Sequence, residues 1–217
     1  RLACGDVGKG KMAEPIDIVR IVEEILQPVQ DFKGKKVLVT SGATEEDIDG
    51  VRVITNHSSG KMGCALAKAL ADRGAEVTLV RGKMSVETPS SVYKEVKVTT
   101  TCQLLDAVKD NMDNDVFIMA AAPADYRVKN KSSQKIKADS IVLELEKNPD
   151  VAKYVGENKG DKTLVIFSAE TENLIANASG KLQRKNADYV VANDVTKVGA
   201  GFYTDTNVAT IISKSGY

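Results

Sequence analysis

The sequence predicts an α/β protein: a Rossmann-like, open, mostly parallel sheet flanked by helices, with a basic lid loop and irregular extensions. Two observations carry this. Short β-branched runs, "KKVLVT", "EVTLV", "DVFIMAAA" and "TLVIFSAE", alternate with helix-length segments, as buried parallel strands alternate with crossover helices. Three of these runs, all but "EVTLV", also end in small residues, at Ser41-Gly42, Ala120–Ala122 and Ser168-Ala169, the usual border of a ligand crevice at the carboxyl ends of parallel strands.

Residues 1–13 are Gly-rich and aperiodic and read as a linker. Pro15 opens a helix with Ile18, Ile21, Val22 and Ile25 on one face, and Pro28 ends it. The first strand covers 35–40. From Lys61 a second helix is predicted, with Met62, Leu66, Leu70 and Arg73 on a shared face and Gly74 as its stop. Strands follow at 76–80 and 93–98. Thr100 and Gln103 have capping-box spacing before a third helix. A fourth strand spans 115–122. "SIVLELEKN" alternates like an edge strand, and "PDVAKYVGEN" reads as a helix with Pro149 in its first turn. "TLVIFSAE", a helix over 173–185, "ADYVVAND" and "NVATIIS" complete the series.

Bulk properties narrow the function. The 217 residues carry 30 Lys plus Arg and 30 Asp plus Glu. Zero net charge argues against a nucleic-acid or anionic-membrane partner. No apolar run is long enough to span a bilayer. Cys4, Cys64 and Cys102 are too scattered for a disulfide framework or zinc site and fit a reducing, cytoplasmic setting. The chain opens on Arg1, which reads as a fragment or trimmed product.

The stretch "ITNHSSGKMG" sits where strand one should turn into its helix. A dinucleotide site makes that turn in about six residues, whereas roughly 18 intervene here. The excursion ends with Asn56, Ser58, Ser59 and Gly60 at a helix N-terminus, where free N–H groups and the helix dipole attract phosphate. The plainer alternative is that Ser58 or Ser59 caps the helix. No G-x-G-x-x-G follows the first strand, and Arg81 follows the second where an acid would hold a ribose. Arg81 would suit a 2′-phosphate, which keeps an NADP reductase as an alternative.

Arg127, Lys129, Lys131, Lys135 and Lys137 place five basic residues in eleven positions. As an isolated run this is a solvated loop. It follows a strand end carrying Asp125, a candidate Mg²⁺ ligand, and so reads as a flexible lid for a triphosphate and its metal. Lys181 and Lys185, one helical turn apart, are placed to face the same site or an ordinary surface. His57 is the only histidine and reads as structural.

Together, "SGATEEDIDGVRVITNHSSGKMG", "AAAPADYR" with "KIK", "KNPDV", "FSAET" and "KLQRKNADYVVAND" resemble the phosphopantothenoylcysteine synthetase domain of the bacterial bifunctional coenzyme A biosynthesis flavoprotein. The resemblance runs from about Val37 to Phe202 and implies a synthetase domain over 14–217. Gly50, Pro123 and Ala138 depart from the commoner residues and are expected to tune loops; a final helix common in the family is not seen.

The resemblance implies a ligase that joins 4′-phosphopantothenate to L-cysteine through an acyl-cytidylate, using CTP and Mg²⁺. It places Lys135 in the first step, Asn56 in the second, and Asp125 at nucleotide and metal. Ala120, Ala121, Ala122, Pro149, Asp150, Val151, Ala152, Phe167, Lys181 and Lys185 match nucleotide-contacting positions. It also implies a homodimer with sites near the subunit interface. The N-terminal "LACGDVGKGKM" resembles the end of a flavin-dependent decarboxylase, whose FMN would belong to a domain outside this chain and leave Cys4 idle. A non-catalytic nucleotide sensor is the non-enzyme alternative.

Overall fold

Along the chain run α1 (Pro15–Leu26), β1 (Lys36–Ser41), β2 (Glu45–Asp47), β3 (Val53–Thr55), α2 (Lys61–Asp72), β4 (Glu76–Arg81), β5 (Lys94–Lys97) and α3 (Thr101–Lys109). They continue as β6 (Val116–Met119), β7 (Tyr126–Val128), β8 (Leu145–Lys147), α4 (Val151–Asn158), β9 (Thr163–Glu170), α5 (Leu174–Arg184), β10 (Tyr189–Asp194) and β11 (Ala209–Ser213). This computed structural model describes residues 12–26, 29–170, 172–194 and 206–216. Cys4 and residues 1–11 of the linker expected over 1–13 lie outside them.

Seven strands form the main sheet in the order β11-β10-β9-β6-β1-β4-β5. All pair in parallel except β11, which runs against β10. The chain winds outward from β1 to β5 and then returns to β6 on the other side of β1. That reversal opens a crevice between the carboxyl ends of β1 and β6, where Thr40 pairs with Met119.

Burial on both faces explains the unbroken apolar run Val37-Leu38-Val39 of β1. Leu38 packs with Leu104, Phe117, Val155, Ile166 and Leu182 in the layer that α3, α4 and α5 cover. Val37 and Val39 pack on the other face with Cys64, Ala67 and Leu70 of α2. Phe117 is fully buried, and burying a side chain of that kind contributes about 1.5–3 kcal/mol. Thr100 caps α3 as predicted: its side chain accepts from Gln103 N, and the Gln103 side chain returns to the Thr100 backbone.

Four expectations change. The buried face of α2 is Gly63, Cys64, Ala67 and Leu70, while Met62 is exposed. The helix lies so close to β1 that a Cβ on Gly63 would fall 2.5 Å from Ser41 Oγ, so only small residues fit. Asp150, not Pro149, begins α4: its side chain accepts from Lys153 N at 3.0 Å, and Pro149 precedes the cap. Only residues 145–147 of "SIVLELEKN" form a strand, paired with β7 in a small sheet apart from the main one. Finally, the long excursion after β1 contains an antiparallel hairpin, β2–β3. Ile18, Ile21 and Val22 of α1 remain exposed.

Candidate active site

Two clefts open at the carboxyl edge of the sheet, one on each face. The first, about 720 Å³, lies on the α3–α4–α5 side and is lined by Ala121, Asp125, Pro149, Asp150, Val151, Ala152, Phe167 and Lys185 among others. The second, about 550 Å³, lies over the start of α2 and is lined by Ser58, Ser59, Gly60, Ala120, Ala122 and Phe167 among others. The period-two alternation of β6 continues past its end. It sends Ala121 to one cleft and Ala120 and Ala122 to the other, so the expected nucleotide set divides across the sheet edge.

Asn56 is held at this edge. Its side-chain Nδ2 donates to Pro123 O at 2.9 Å, bringing the end of the long excursion onto the "AAAPAD" segment. The backbone N–H groups of Ala120, Ala121 and Ala122 donate to Ile118 O, Thr40 Oγ1 and Gly42 O, so these donors are already taken within the chain. At the start of α2 the N-cap is Gly60 in a left-handed conformation, with no side-chain cap. Neither Ser58 nor Ser59 is the N-cap residue, but Ser59 Oγ accepts from Lys61 N, the first N–H of the helix, at 3.4 Å, and the Ser59 carbonyl accepts from Ser85 N at 3.0 Å. His57 lines neither cleft.

A buried polar network supports the edge from below. Thr44 and Thr101 share a hydroxyl–hydroxyl hydrogen bond of 2.9 Å, and Thr44 Oγ1 accepts from Ala124 N at 2.8 Å. Asn148 donates to Ala124 O at 2.9 Å, accepts from Arg127, and through its backbone N–H bonds Asp125 O. It thus fixes Asp125 relative to Pro149. Sequence reasoning took up the residues after Asn148 but not Asn148 itself; its place within "KNPDV" was the available signal.

The charged groups are sorted by partner. Lys185 and Asp150 form an ion pair of 3.2 Å on the wall of the larger cleft. Lys181 lines neither cleft; its ammonium donates to Ser168 Oγ and Glu170 Oε1, each at 2.7 Å. The two lysines thus do not face one site. Burial pushes the Glu170 carboxyl upward, but hydrogen bonds from Lys181 and Ser168 outweigh it and leave Glu170 below its ordinary value. Asp125 is exposed, and its carboxylate makes no hydrogen bond or ion pair among the described residues. No group of three or more His, Cys, Asp or Glu among those residues could hold a metal. The donor set fits Mg²⁺ only as that ion often binds, through one carboxylate together with substrate phosphates and water.

The basic lid is less free than its composition suggests. Arg127 pairs with Glu146 at 2.7 Å, Lys129 with Glu144 at 2.6 Å and Lys131 with Asp47 at 3.0 Å. These acids lie on β8, before it and on the β2–β3 hairpin. Lys135 and Lys137 are exposed, form no ion pair among the described residues, and line neither cleft. Arg81 is occupied as well: its Nε donates to Glu95 at 2.8 Å, and Thr88 and Arg81 together hold the Glu95 carboxyl below its ordinary value.

Comparison with known proteins places the chain in a family and agrees with its fold. Residues 32–217 match the family described as DNA/pantothenate metabolism flavoprotein C-terminal domain. Over 219 residues the chain is 43% identical to the coenzyme A biosynthesis bifunctional protein CoaBC of Haemophilus influenzae, covering 99% of this chain and 54% of that protein. The chain therefore spans about half the length of the curated relatives it matches. A crystal structure of the C-terminal domain of a CoaBC protein superposes with a TM-score of 0.74 at 40% identity, covering 87% of this chain and 86% of that one. The DNA/pantothenate metabolism flavoprotein from Streptococcus pneumoniae superposes with a TM-score of 0.73 at 28% identity, covering 83% and 90%. The family resemblance carried by the sequence motifs is borne out, and the chain belongs to the DNA/pantothenate metabolism flavoprotein C-terminal domain family.

Proposed function

We propose that the chain joins 4′-phosphopantothenate to L-cysteine in coenzyme A biosynthesis, with CTP as the activating nucleotide. The observation that carries this reading is the pair of clefts meeting at Ala120, Ala121 and Ala122, with Asn56, which lines neither cleft, bonded beside them to Pro123 O. A ligation that first activates an acid and then couples it to an amine needs two substrate sites sharing one reacting centre. The name of the curated relatives, a bifunctional coenzyme A biosynthesis protein, points the same way.

In this reading the nucleotide occupies the larger cleft, between Asp125 and Lys185, and phosphopantothenate lies along the start of α2. A carboxylate oxygen of phosphopantothenate attacks the α-phosphorus of CTP. The bond to the β-phosphate oxygen breaks and pyrophosphate leaves, giving the acyl-cytidylate. The cysteine amine then attacks the acyl carbon, the C–O bond to CMP breaks, and the nitrogen loses a proton. Lys135 neutralises charge at the α-phosphate in the first step. The Asn56 amide donates to the oxyanion in the second, where a neutral donor leaves the amine nucleophilic. Mg²⁺, held by Asp125 and the phosphates, would screen the triphosphate charge. The working unit is a homodimer in the cytoplasm, linked in the longer protein to a decarboxylase domain that carries FMN.

The test is pyrophosphate release that requires both phosphopantothenate and CTP. Lys135→Gln should lower it by roughly 10²–10³, the effect of losing about 3–4 kcal/mol of electrostatic stabilisation. Asn56→Asp should release pyrophosphate but form little amide, so that acyl-cytidylate accumulates. Pyrophosphate release with CTP alone, or none with both substrates, would refute the reading.

A further inference from the structure

The lid and the β2–β3 hairpin are locked together at a single buried carboxylate. Asp49, at the hairpin turn, has a fully buried side chain. Its Oδ1 accepts from Val51 N and Arg52 N, each at 2.9 Å. Its Oδ2 accepts from the Arg52 guanidinium and, across 87 residues of sequence, from Ile136 N at 3.1 Å. Arg52 completes the connection by donating to Ile136 O at 3.0 Å. Both backbone polar groups of Ile136 are therefore taken by one Asp–Arg pair. Nearby, Ser132 N donates to Ile48 O at 3.1 Å, and Lys131 reaches Asp47.

We propose that Asp49 is a positioning residue that, through Ile136, fixes the backbone of Lys135 and so delivers its ammonium to the reacting phosphate. The proposal rests on the function given above, because that function assigns Lys135 its task. Three features support it. Lys135 is the residue next to Ile136, so its Cα cannot wander while Ile136 is held at both ends. The lid from 127 to 136 is tied at several points, whereas residues 137–143 are exposed and include Val142 at 98% exposure. Closure over a nucleotide then falls to residues 137–143, and Lys135 sits at their fixed root. Asp49 itself lines neither of the two clefts at the sheet edge, so its effect on catalysis has to pass through another residue.

Two readouts test this on the 217-residue chain. Amide hydrogen exchange at Ile136 reports docking without reference to activity. In Asp49→Asn the carboxamide keeps one acceptor oxygen but turns an N–H₂ group toward Arg52 or Ile136, so exchange at Ile136 should rise about tenfold or more. Single-turnover pyrophosphate release should fall about tenfold, with CTP binding little changed. The double variant Asp49→Asn/Lys135→Gln should be no slower than Lys135→Gln alone, since a residue acting through Lys135 has nothing further to lose once it is gone. Arg52→Gln, which removes the bond to Ile136 O, should give the same pattern and serves if Asp49→Asn fails to fold.

Unchanged exchange at Ile136 in both variants would overturn the docking claim. Additive losses in the double variant would overturn the claim that Asp49 acts through Lys135. If Lys135→Gln itself releases pyrophosphate at the wild-type rate, the functional reading of Lys135 fails and takes the catalytic half of the proposal with it. The exchange data still decide the docking half.

Discussion

For two of the glycines inside helices, Gly180 and Gly156, the structure predicts opposite outcomes of the same substitution. In an exposed helix interior, Gly→Ala gains about 1 kcal/mol from backbone propensity alone. At Gly180 in α5 a new Cβ would meet the Arg184 Nη1 at 2.8 Å, the far end of a flexible side chain that can swing away. Gly180→Ala should therefore keep most of that gain and raise the melting temperature by roughly 2–4 °C, the usual response to about 1 kcal/mol in a chain of this size. At Gly156 in α4 the Cβ would fall 1.8 Å from Lys185 O, a backbone atom at the end of α5. Ordinary contact begins at 3.4 Å, so the two helices must separate by about 1.6 Å. Overpacking of that kind costs about 1–3 kcal/mol, and the rigidity of both partners places this case at the top of the range. After the propensity gain, a net loss of about 2 kcal/mol and a melting temperature lower by about 4–8 °C are expected. The displacement also carries Lys185 away from Asp150, so CTP should bind a few-fold more weakly, as befits a partly exposed charge. Thermal melts and calorimetric titration with CTP of both variants make the measurement. A Gly156→Ala chain that melts at or above Gly180→Ala would refute the packing argument.

A second prediction concerns acid. Glu170 has a folded-state pKa below its ordinary value, so its stabilising contribution is complete above the unfolded glutamate value near 4.3 and is lost as pH falls through the lower folded value. The gap in urea midpoint between the wild type and Glu170→Gln should be constant from pH 7 down to about 5 and narrow in stronger acid; a gap that widens in acid would contradict the pairing. A third concerns the metal. Asp125→Asn should raise the Mg²⁺ concentration needed for half-maximal pyrophosphate release while leaving the melting temperature within about 1–2 °C, because the carboxylate is exposed and supports no other side chain. An unchanged Mg²⁺ requirement would remove Asp125 from the metal site.

The features legible in the sequence are those whose physics is local. Buried parallel strands must be apolar on both faces, so β1, β4, β6 and β9 announce themselves as runs. The Thr100–Gln103 box needs only a spacing of three. Features fixed by a distant neighbour were not legible. The small buried face of α2 is dictated by Ser41, and the search for large apolar residues passed over it. Each strand of the β2–β3 hairpin has three residues, and "EED" lacks strand propensity altogether. The acids that pair with the lid, Asp47 and Glu144, lie 84 and 15 residues from their lysines, so a local composition reading saw only the positive charge. The division of Ala120, Ala121 and Ala122 between two clefts follows from strand alternation and could have been read from the end of β6.

These pairings bear on how the proposed site would accept a triphosphate. The chain has zero net charge, yet the substrates proposed for it are strongly anionic. Lys185 is paired with Asp150 and Lys181 with Glu170. A partly exposed ion pair is worth only about 0–1 kcal/mol, so Lys185 can exchange Asp150 for a phosphate at small cost. Asp150 would keep its bond from Lys153 N as the cap of α4. Lys181 is a different case, since Glu170 is nearly buried and also accepts from Ser168 and Asn177. Pulling Lys181 away would strand a carboxylate with only neutral donors. Lys185 is therefore the lysine of this pair suited to direct contact with nucleotide, and Lys181 is suited to holding the end of β9 in shape beneath it.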